Sequence, residues 1–486
     1  MKIIYRTILS GMILITGLAG YGQLSQTQYF MNFPQANQAN PAFRPSSKVF
    51  IGLPVISNIN IGINNNLTSL SNLFQTLPGT DSIMTPLHPD YDRTAFLDKM
   101  GKRGYFSTDL TIQLLGVGFT VNNDWYIDLG LSQKAFASVY VPKDLFTFLL
   151  EGNESFIGSS IDLSGFGMEA YQYLEMSAGI SKNIMPNLRV GGRFKLLFGG
   201  IGASLDNRRL EIDVNEDFSH TLHTDMTLNL NGPMEVLTDA DNLIEDIVFN
   251  EDINPFEIIL NGKNTGVAFD LGATYDLMQN LTFSASIIDL GFLRWKSNTF
   301  NLEANNRFSF DGFDVSGVIN GDKSFDEMLE QFLDSLKSSF DLTDGESYFN
   351  TGVTTKMYLG AFYKPVKFFG VGLLSRSAIN NKHVSQSLSL SANLYAGDAL
   401  STSLTYTMTN RSYNNLGFGF AVKFGGPQFY FVADQIPVNW IRFENSEGRF
   451  AGIAPDRIDF FNFRFGLNLV FGKMSQSKTD TPMLLE

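Results

Sequence analysis

The chain of 486 residues contains no cysteine, which excludes disulfides and a lipid anchor on a mature N-terminal cysteine. Beyond residue 22 it has no uncharged apolar run of about 18 residues or more, so a transmembrane helix is excluded too. Basic residues are too few to balance the acidic ones, 35 against 49. The resulting net charge of −14 argues against nucleic acid as a partner.

The first 22 residues have the three-part plan of a secretory signal. Lys2 and Arg6 make the start positive, and an apolar stretch over 8–19 leads to small residues that end at Gly22. The stretch is too short to span a bilayer, which takes about 20 apolar residues. We therefore expect export with cleavage near Gly22. Without disulfides, the exported protein needs another source of stability, such as an extensive backbone hydrogen-bond network.

Aromatic residues and glycine are abundant, with 44 Phe, 44 Gly and 17 Tyr against 3 Trp. Mean hydropathy is nevertheless neutral, at −0.01. This combination is typical of membrane barrels, in which apolar and polar residues alternate along each strand. A closed sheet is also the one way to cross a membrane without helices, because an open edge in lipid leaves backbone groups unsatisfied.

The last third of the chain alternates most clearly. Residues 384–396 place leucines on one face and serines on the other, and 399–409, 415–424 and 459–471 repeat the pattern. These segments run longer than the about 5–6 residues of ordinary soluble strands. Their polar faces are small Ser, Thr, Gly and Asn residues, which suit a filled lumen better than the solvated face of a β-sandwich. The pattern predicts an all-β, antiparallel transmembrane β-barrel.

Connections between these segments alternate between very short and long, which predicts tight periplasmic turns and long extracellular loops. The strand count depends on 203–214 and 222–230. Residues 203–214 have no continuous apolar face, so we expect the two to form a hairpin outside the membrane. This interpretation gives about fourteen strands; if both segments cross, the barrel has sixteen.

The organisation expected is a signal peptide (1–22), a periplasmic N-terminal segment or plug (23–47), a barrel with long loops (48–471) and a C-terminal tail (472–486). Apolar residues at helical spacing predict short helices in the extracellular loops, over 142–151 and 324–341.

Few residues have the type and spacing of a catalytic or metal-binding site. His220 and His223 are three apart, so in a strand they face opposite ways and suit no metal site. His383 shares a face with Ser385 and Ser387, but a polar barrel face explains them better than a hydrolase does. The acidic loop 237–258 lacks calcium-loop spacing. We expect no enzyme, metal or cofactor.

The remaining candidates are charged residues whose positions in the alternation predict that they face the lumen. Charges inside a barrel usually pair with one another and can line a narrow path. The candidates are Lys356, Arg376, Lys423, Asp434 and Arg464.

Three stretches carry a resemblance: QTQYFMNFPQANQANPAFRP (26–45), GATYDLMQNLTFSASIIDLGFLRW (272–295) and NNLGFGFAVKFGGPQFYFVADQIPVNW (414–440). They resemble a family of Bacteroidetes outer-membrane barrels of uncharacterised function, similar to PorV-type and FadL-type barrels. The resemblance implies an outer-membrane location and a fourteen-stranded barrel, and it names no catalytic residue. The chain departs from many barrels in one respect, since a tail follows its last aromatic residue, Phe471.

Two functions remain open. The first is passage or binding of small hydrophobic or amphipathic molecules, with outer-membrane lipid around the wall. The second is a structural or assembly role with a protein partner in a cell-surface or secretion complex. An apolar groove that enters the lumen through a kinked strand favours the first; a tightly filled lumen favours the second.

Overall fold

The structure is a computed structural model of the full chain. It describes residues 26–76, 83–122, 124–217, 219–238, 244–250, 261–310, 341–342, 348–379, 384–409, 412–436, 440–444, 450–455 and 460–473. Of the helix expected over 324–341, all residues but Asp341, which belongs to a short strand, lie outside the described residues, as does the tail beyond 473.

Fourteen antiparallel strands form the wall of the molecule. In chain order they are β1 (Ser47–Gly52 and Ile59–Asn65), β2 (Arg103–Val121), β3 (Trp125–Pro142), β4 (Gly167–Met185), β5 (Leu188–Val214), β6 (Thr265–Met278), β7 (Leu281–Trp295), β8 (Phe349–Gly352 and Thr355–Val366), β9 (Phe369–Ile379), β10 (Val384–Ala396), β11 (Leu400–Thr409), β12 (Ser412–Lys423), β13 (Pro427–Ile436) and β14 (Phe460–Lys473).

Each strand pairs with its chain neighbours, and the last strand pairs with the first, so the sheet closes. In β1, Ile51 is opposite Leu469 of β14 and Val117 of β2. The fourteen-stranded transmembrane barrel predicted from the alternation is thereby confirmed, and the sixteen-stranded alternative is wrong.

Burial in this barrel is the reverse of that in a soluble protein. On β10, Leu390 and Leu394 are each 53% exposed on the outside, whereas Ser389 and Asn393 are 2% and 0% exposed on the inside. An apolar exterior of this kind is stable only against lipid. The alternation therefore places the small polar residues in the lumen, where the candidate site lies.

The strand β1 is interrupted at 53–58, but the wall stays sealed there. Val55 has a φ of 68°, in the left-handed region that is costly for a β-branched residue. Its amide donates to the Gln113 carbonyl at 3.0 Å, and the Leu467 amide donates to the Ile56 carbonyl at 2.9 Å. Hydrogen bonds to both neighbouring strands thus bridge the break.

The strand β5 continues far beyond the membrane, because its 27 residues exceed the about 9–11 that a tilted strand needs to cross. Its outer end pairs with His220–Asn231, as expected for an external hairpin. The expectation of no continuous apolar face is wrong. A bulge opposite Asp225 and Met226 shifts the alternation, so Leu205, Leu210 and Ile212 are all buried.

The described residues outside the wall form three short helices and several short strands. The helices are α1 (Leu70–Leu73), α2 (Arg93–Lys99) and α3 (Lys143–Glu151), the last matching the helix expected over 142–151. The strands are Gln75–Thr76, Ile83–Met84, Ser159–Asp162, His220–Asn231, Met234–Thr238, Ile244–Phe249, Thr299–Ala304, Arg307–Phe310, Asp341–Leu342, Trp440–Glu444 and Phe450–Pro455. Among the described residues, no helix has the length and apolar character needed to cross a membrane.

Candidate functional site

The N-terminal residues 26–45, here called the inner segment, lie inside the barrel. They form two 3₁₀ turns, Thr27–Phe30 and Pro34–Gln38, and then reach β1 at Ser47. Every side chain of the segment is buried except Gln38, which is half-buried. A fourteen-stranded barrel is wider than the eight-stranded ones that wall side chains alone fill. The inner segment occupies that additional space.

Polar side chains of the wall hold the inner segment at several heights. Gln35 and Asn468 exchange two amide hydrogen bonds, at 2.8 and 2.9 Å. The buried guanidinium of Arg464 donates to the side chain of Gln28. The Thr27 amide donates to the Asp434 carboxylate at 3.1 Å. These partners satisfy polar groups that would otherwise be costly to bury.

Aromatic rings add apolar contact between the inner segment and the wall. Phe33 stacks on Tyr430 with ring centres 4.3 Å apart and planes 13° from parallel. Phe30 stacks on Phe362 in the same way at 5.2 Å. Rings at these separations contribute beyond their buried area, so the segment has both polar and apolar anchors.

Glycines in the wall provide the room that the inner segment needs. A Cβ placed on Gly191 would lie 2.3 Å from the Pro41 carbonyl oxygen, and one on Gly419 would lie 2.6 Å from the Met31 sulfur. Any larger residue at Gly191 would meet backbone, which cannot move aside cheaply. These glycines belong to inward-facing rows of β5 and β12 and let the two chains approach closely.

Eight charged side chains, all buried except the half-buried Lys134, form an ion-pair network on the wall of β3 to β8. Its members are Asp128, Lys134, Glu175, Arg193, Lys195, Asp270, Asp289 and Lys356.

At the centre of the network, Lys195 contacts Asp270 at 2.7 Å and also contacts Asp289. Arg193 binds Asp128 at 2.8 Å and Asp270 at 3.1 Å. Four cations meet four carboxylates, so the network carries no net charge and each buried ion has a partner.

A bulge between β6 and β7 turns one of these carboxylates, that of Asp289, inward beside Asp270, which follows the regular alternation of β6. The pairing slips between Phe269 and Leu271, and Asp289 has a φ of 59°. The Asp289 amide donates to the Asp270 carboxylate at 2.8 Å. Bulges commonly re-aim side chains in this way, and here both acids reach Lys195.

A small cavity of about 80 Å³ lies among the network, the inner segment and the neighbouring wall. Its lining includes charged side chains, among them Asp109, Lys134 and Glu175. The lining also includes aromatic rings, with Phe136 and Tyr171 stacked 5.0 Å apart. The cavity therefore offers an amphipathic environment suited to a small molecule with one polar and one apolar part.

The five residues predicted to face the lumen have different surroundings. Lys356, Arg376, Asp434 and Arg464 are buried in the interior, with exposed fractions of 8% or less. Lys356 binds Asp289 of the network at 2.9 Å, and Asp434 and Arg464 hold the inner segment. Lys423 is half-buried at the short-turn end of β12, beyond the inner segment.

The residues at the centre of the network were not predicted from the sequence. In β3, Asp128 and Lys134 share one parity with Ser132, a signal that reading the strand for inward positions would have found. The inward position of Asp289 could not be predicted in this way, because a bulge turns its side chain inward against the alternation of the strand.

Two of the three described histidines, His220 and His223, lie in the external hairpin, and the third, His88, lies in the loop before α2. His220 packs edge-on against Phe148 at 5.7 Å, and its burial lowers its pKa. His223 contacts the Asp213 carboxylate at 2.7 Å. A hydrogen bond from Ser160 and the contact with His223 lower the pKa of Asp213. Among the described residues, no group of three or more potential ligands is placed to hold a metal ion.

Comparisons with known proteins give a family and a set of distant barrels. A family model described as "Family of unknown function (DUF5723)" matches residues 41–434. No curated protein matches the sequence.

Three solved structures illustrate the distant barrels. The toluene transporter TodX of Pseudomonas putida is 10% identical, with a TM-score of 0.38 over 93% of this chain and 97% of that chain. A FadL homologue of Pseudomonas aeruginosa is 10% identical, with a TM-score of 0.40 over 93% and 100%. The CymD monoaromatic hydrocarbon channel is 8% identical, with a TM-score of 0.33 over 94% and 99%. Scores this low assign no function to this chain.

Proposed function

The chain belongs to DUF5723, a family whose description assigns no activity, and we propose from its geometry that it is an outer-membrane passage barrel closed by its inner segment. The molecules admitted are small and amphipathic. The protein is exported through the signal expected at 1–22, and the inner segment acts as the plug of the lumen. The Bacteroidetes origin and the PorV likeness inferred from sequence stay predictions.

One observation carries this proposal: the wall is complete without the inner segment. All fourteen strands pair with one another around the ring, and the segment adds no strand to the sheet. Its anchors are separate side-chain contacts such as Gln35 with Asn468 and Phe33 with Tyr430. Such contacts can be exchanged one by one, so the segment can shift while the wall stays closed.

The amphipathic cavity supports the choice of molecule. A purely hydrophobic solute would leave the buried Oδ1 atom of Asp109, which lines the cavity, without a hydrogen bond, at a cost in free energy. A purely polar solute would gain little from Phe136 and Tyr171. A molecule with both a polar and an apolar part can contact both kinds of lining residue.

The test is single-channel conductance of the full chain and of a variant that lacks residues 26–44, each purified and placed in planar bilayers. We expect the full chain to be closed for most of the recording, and the variant to give discrete, reproducible openings. Heat-modifiable gel mobility of both preparations serves as the control that each barrel is folded.

A folded variant that stays silent would contradict passage through the lumen. Frequent wide openings of the full chain would contradict closure by the inner segment while leaving passage intact.

A second candidate is the assembly role, which the filled lumen and the charge of the short-turn end both favour. Lys48, Lys367 and Lys423 lie at that end, and none has a carboxylate within 4.0 Å among the described residues. Because the whole chain carries −14, this basic end is unlike the rest of the molecule and fits an acidic periplasmic partner.

Changing these three lysines together to glutamine tests that role. We expect a stoichiometric partner to purify with the wild type at low salt and to be lost from the triple variant, because rim charges act through screened attraction. A wild type that purifies alone under mild solubilisation would count against the assembly role.

A further inference from the structure

Three inward-facing residues on adjacent strands form a row across the cavity wall. Asp109 of β2 is directly opposite Phe136 of β3, and Phe136 is opposite Tyr171 of β4. All three line the cavity. Tyr173 also lines the cavity, with its ring centre 5.9 Å from that of Tyr171.

Asp109 differs from the other carboxylates of the cavity because, among the described residues, no hydrogen bond or ion pair is made to it. Its Oδ1 atom is buried without a hydrogen bond, and no cation of the described residues lies within 4.0 Å of the carboxylate. In contrast, Asp128, Glu175 and Asp289 each bind a cation of the network. A buried carboxylate without a partner is costly, and a ligand that supplies the missing charge or donor removes the cost.

We propose that the cavity binds a small organic ammonium group, which pairs with Asp109 and lies against the faces of Phe136 and Tyr171. A carboxylate beside aromatic rings is the combination that recognises ammonium, since the charge meets the anion and the alkyl groups meet the rings. This inference rests on the passage function proposed above and names the class of molecule admitted.

The cations already in the cavity do not take this position. Lys134 binds Glu175 at 2.6 Å, and Lys356 binds Asp289 at 2.9 Å. Arg464 is held by Asn60 at 2.9 Å and by Gln28 of the inner segment. Each of these cations has its own partner, so none forms an ion pair with Asp109. The ammonium group of the ligand supplies the cation that Asp109 lacks.

The experiment compares three small probes on the purified full chain at constant ionic strength: tert-butylammonium chloride, tert-butanol and sodium acetate. Saturation-transfer NMR reports binding through the methyl signal of each probe. We expect the ammonium to bind about tenfold more tightly than the alcohol of the same shape, and acetate not to bind.

Asp109→Asn should abolish the preference for the ammonium and leave the binding of the alcohol unchanged. Asp124→Asn, which removes the same charge at a periplasmic turn, is the matched control and should keep the preference. Phe136→Leu should reduce it about threefold. Heat-modifiable mobility checks the fold of each variant.

Equal binding of ammonium and alcohol by the wild type, or tighter binding of acetate, would overturn the inference without any variant. An unchanged preference in Asp109→Asn would overturn the role of that carboxylate. Conductance of the barrel that lacks residues 26–44 is measured separately, so passage can survive the loss of the ammonium inference, and its failure is seen independently.

Discussion

Replacing Lys195 by methionine is expected to lower the free energy of unfolding by about 3–5 kcal/mol, because the change leaves buried carboxylates without a counter-charge. Lys195 is 3% exposed and binds Asp270 and Asp289, both also buried. Methionine preserves most of the side-chain volume, so the loss reports charge rather than a cavity. Denaturant unfolding of the barrel in lipid vesicles measures it, through the loss of heat-modifiable mobility.

Lys182→Met is the matched control. Lys182 pairs with Asp124 at 3.7 Å, but the two side chains are 38% and 39% exposed, and exposed pairs contribute only about 0–1 kcal/mol. If both methionine variants unfold at the same denaturant concentration as the wild type, water reaches the network and the dry, charge-balanced interior described above is wrong.

The strands of the wall were predictable because a membrane barrel repeats one simple rule at every position. Leu388 and Leu390 must face lipid and Ser389 must face inward, so the alternation of apolar and polar residues directly predicts a barrel strand. Where a bulge breaks the rule, the prediction fails. The apolar face of residues 203–214 is hidden from the sequence by one extra residue opposite Asp225 and Met226.

The lumen was less predictable because its contacts join residues far apart in the chain. The alternation along the strands predicted that Lys356 and Arg464 face the lumen. It did not predict that Arg464 binds Gln28, which is more than 400 positions away in the sequence. The glycines are the exception. Gly191 and Gly419 stand at inward positions without side chains, a sign that something other than the wall fills the space there.

Gly191→Val is expected to displace the inner segment and open the barrel. A Cβ at this position would lie 2.3 Å from the Pro41 carbonyl oxygen and 2.7 Å from the Ala42 amide nitrogen, and both are backbone atoms. The strand itself accepts valine, which suits β structure, so the overlap is relieved on the side of the inner segment. Overpacking of this kind costs about 1–3 kcal/mol, enough to shift a closed segment toward an open state about 5- to 150-fold.

The neighbouring glycine makes the expected result specific to the lumen. Gly192 faces outward, where an added Cβ would have ordinary contacts of 3.7 Å and 3.8 Å with Asp270 and Leu271. Gly192→Val therefore adds the same side-chain atoms to the same strand but does not contact the inner segment. We expect this variant to conduct like the wild type in planar bilayers. Openings in Gly191→Val alone would place the closure at Pro41. Openings in both variants would mean that a disturbed β5, and not displacement of the inner segment, causes conduction. If neither variant conducts, the inner segment moves only near Pro41 and its other contacts keep the lumen closed.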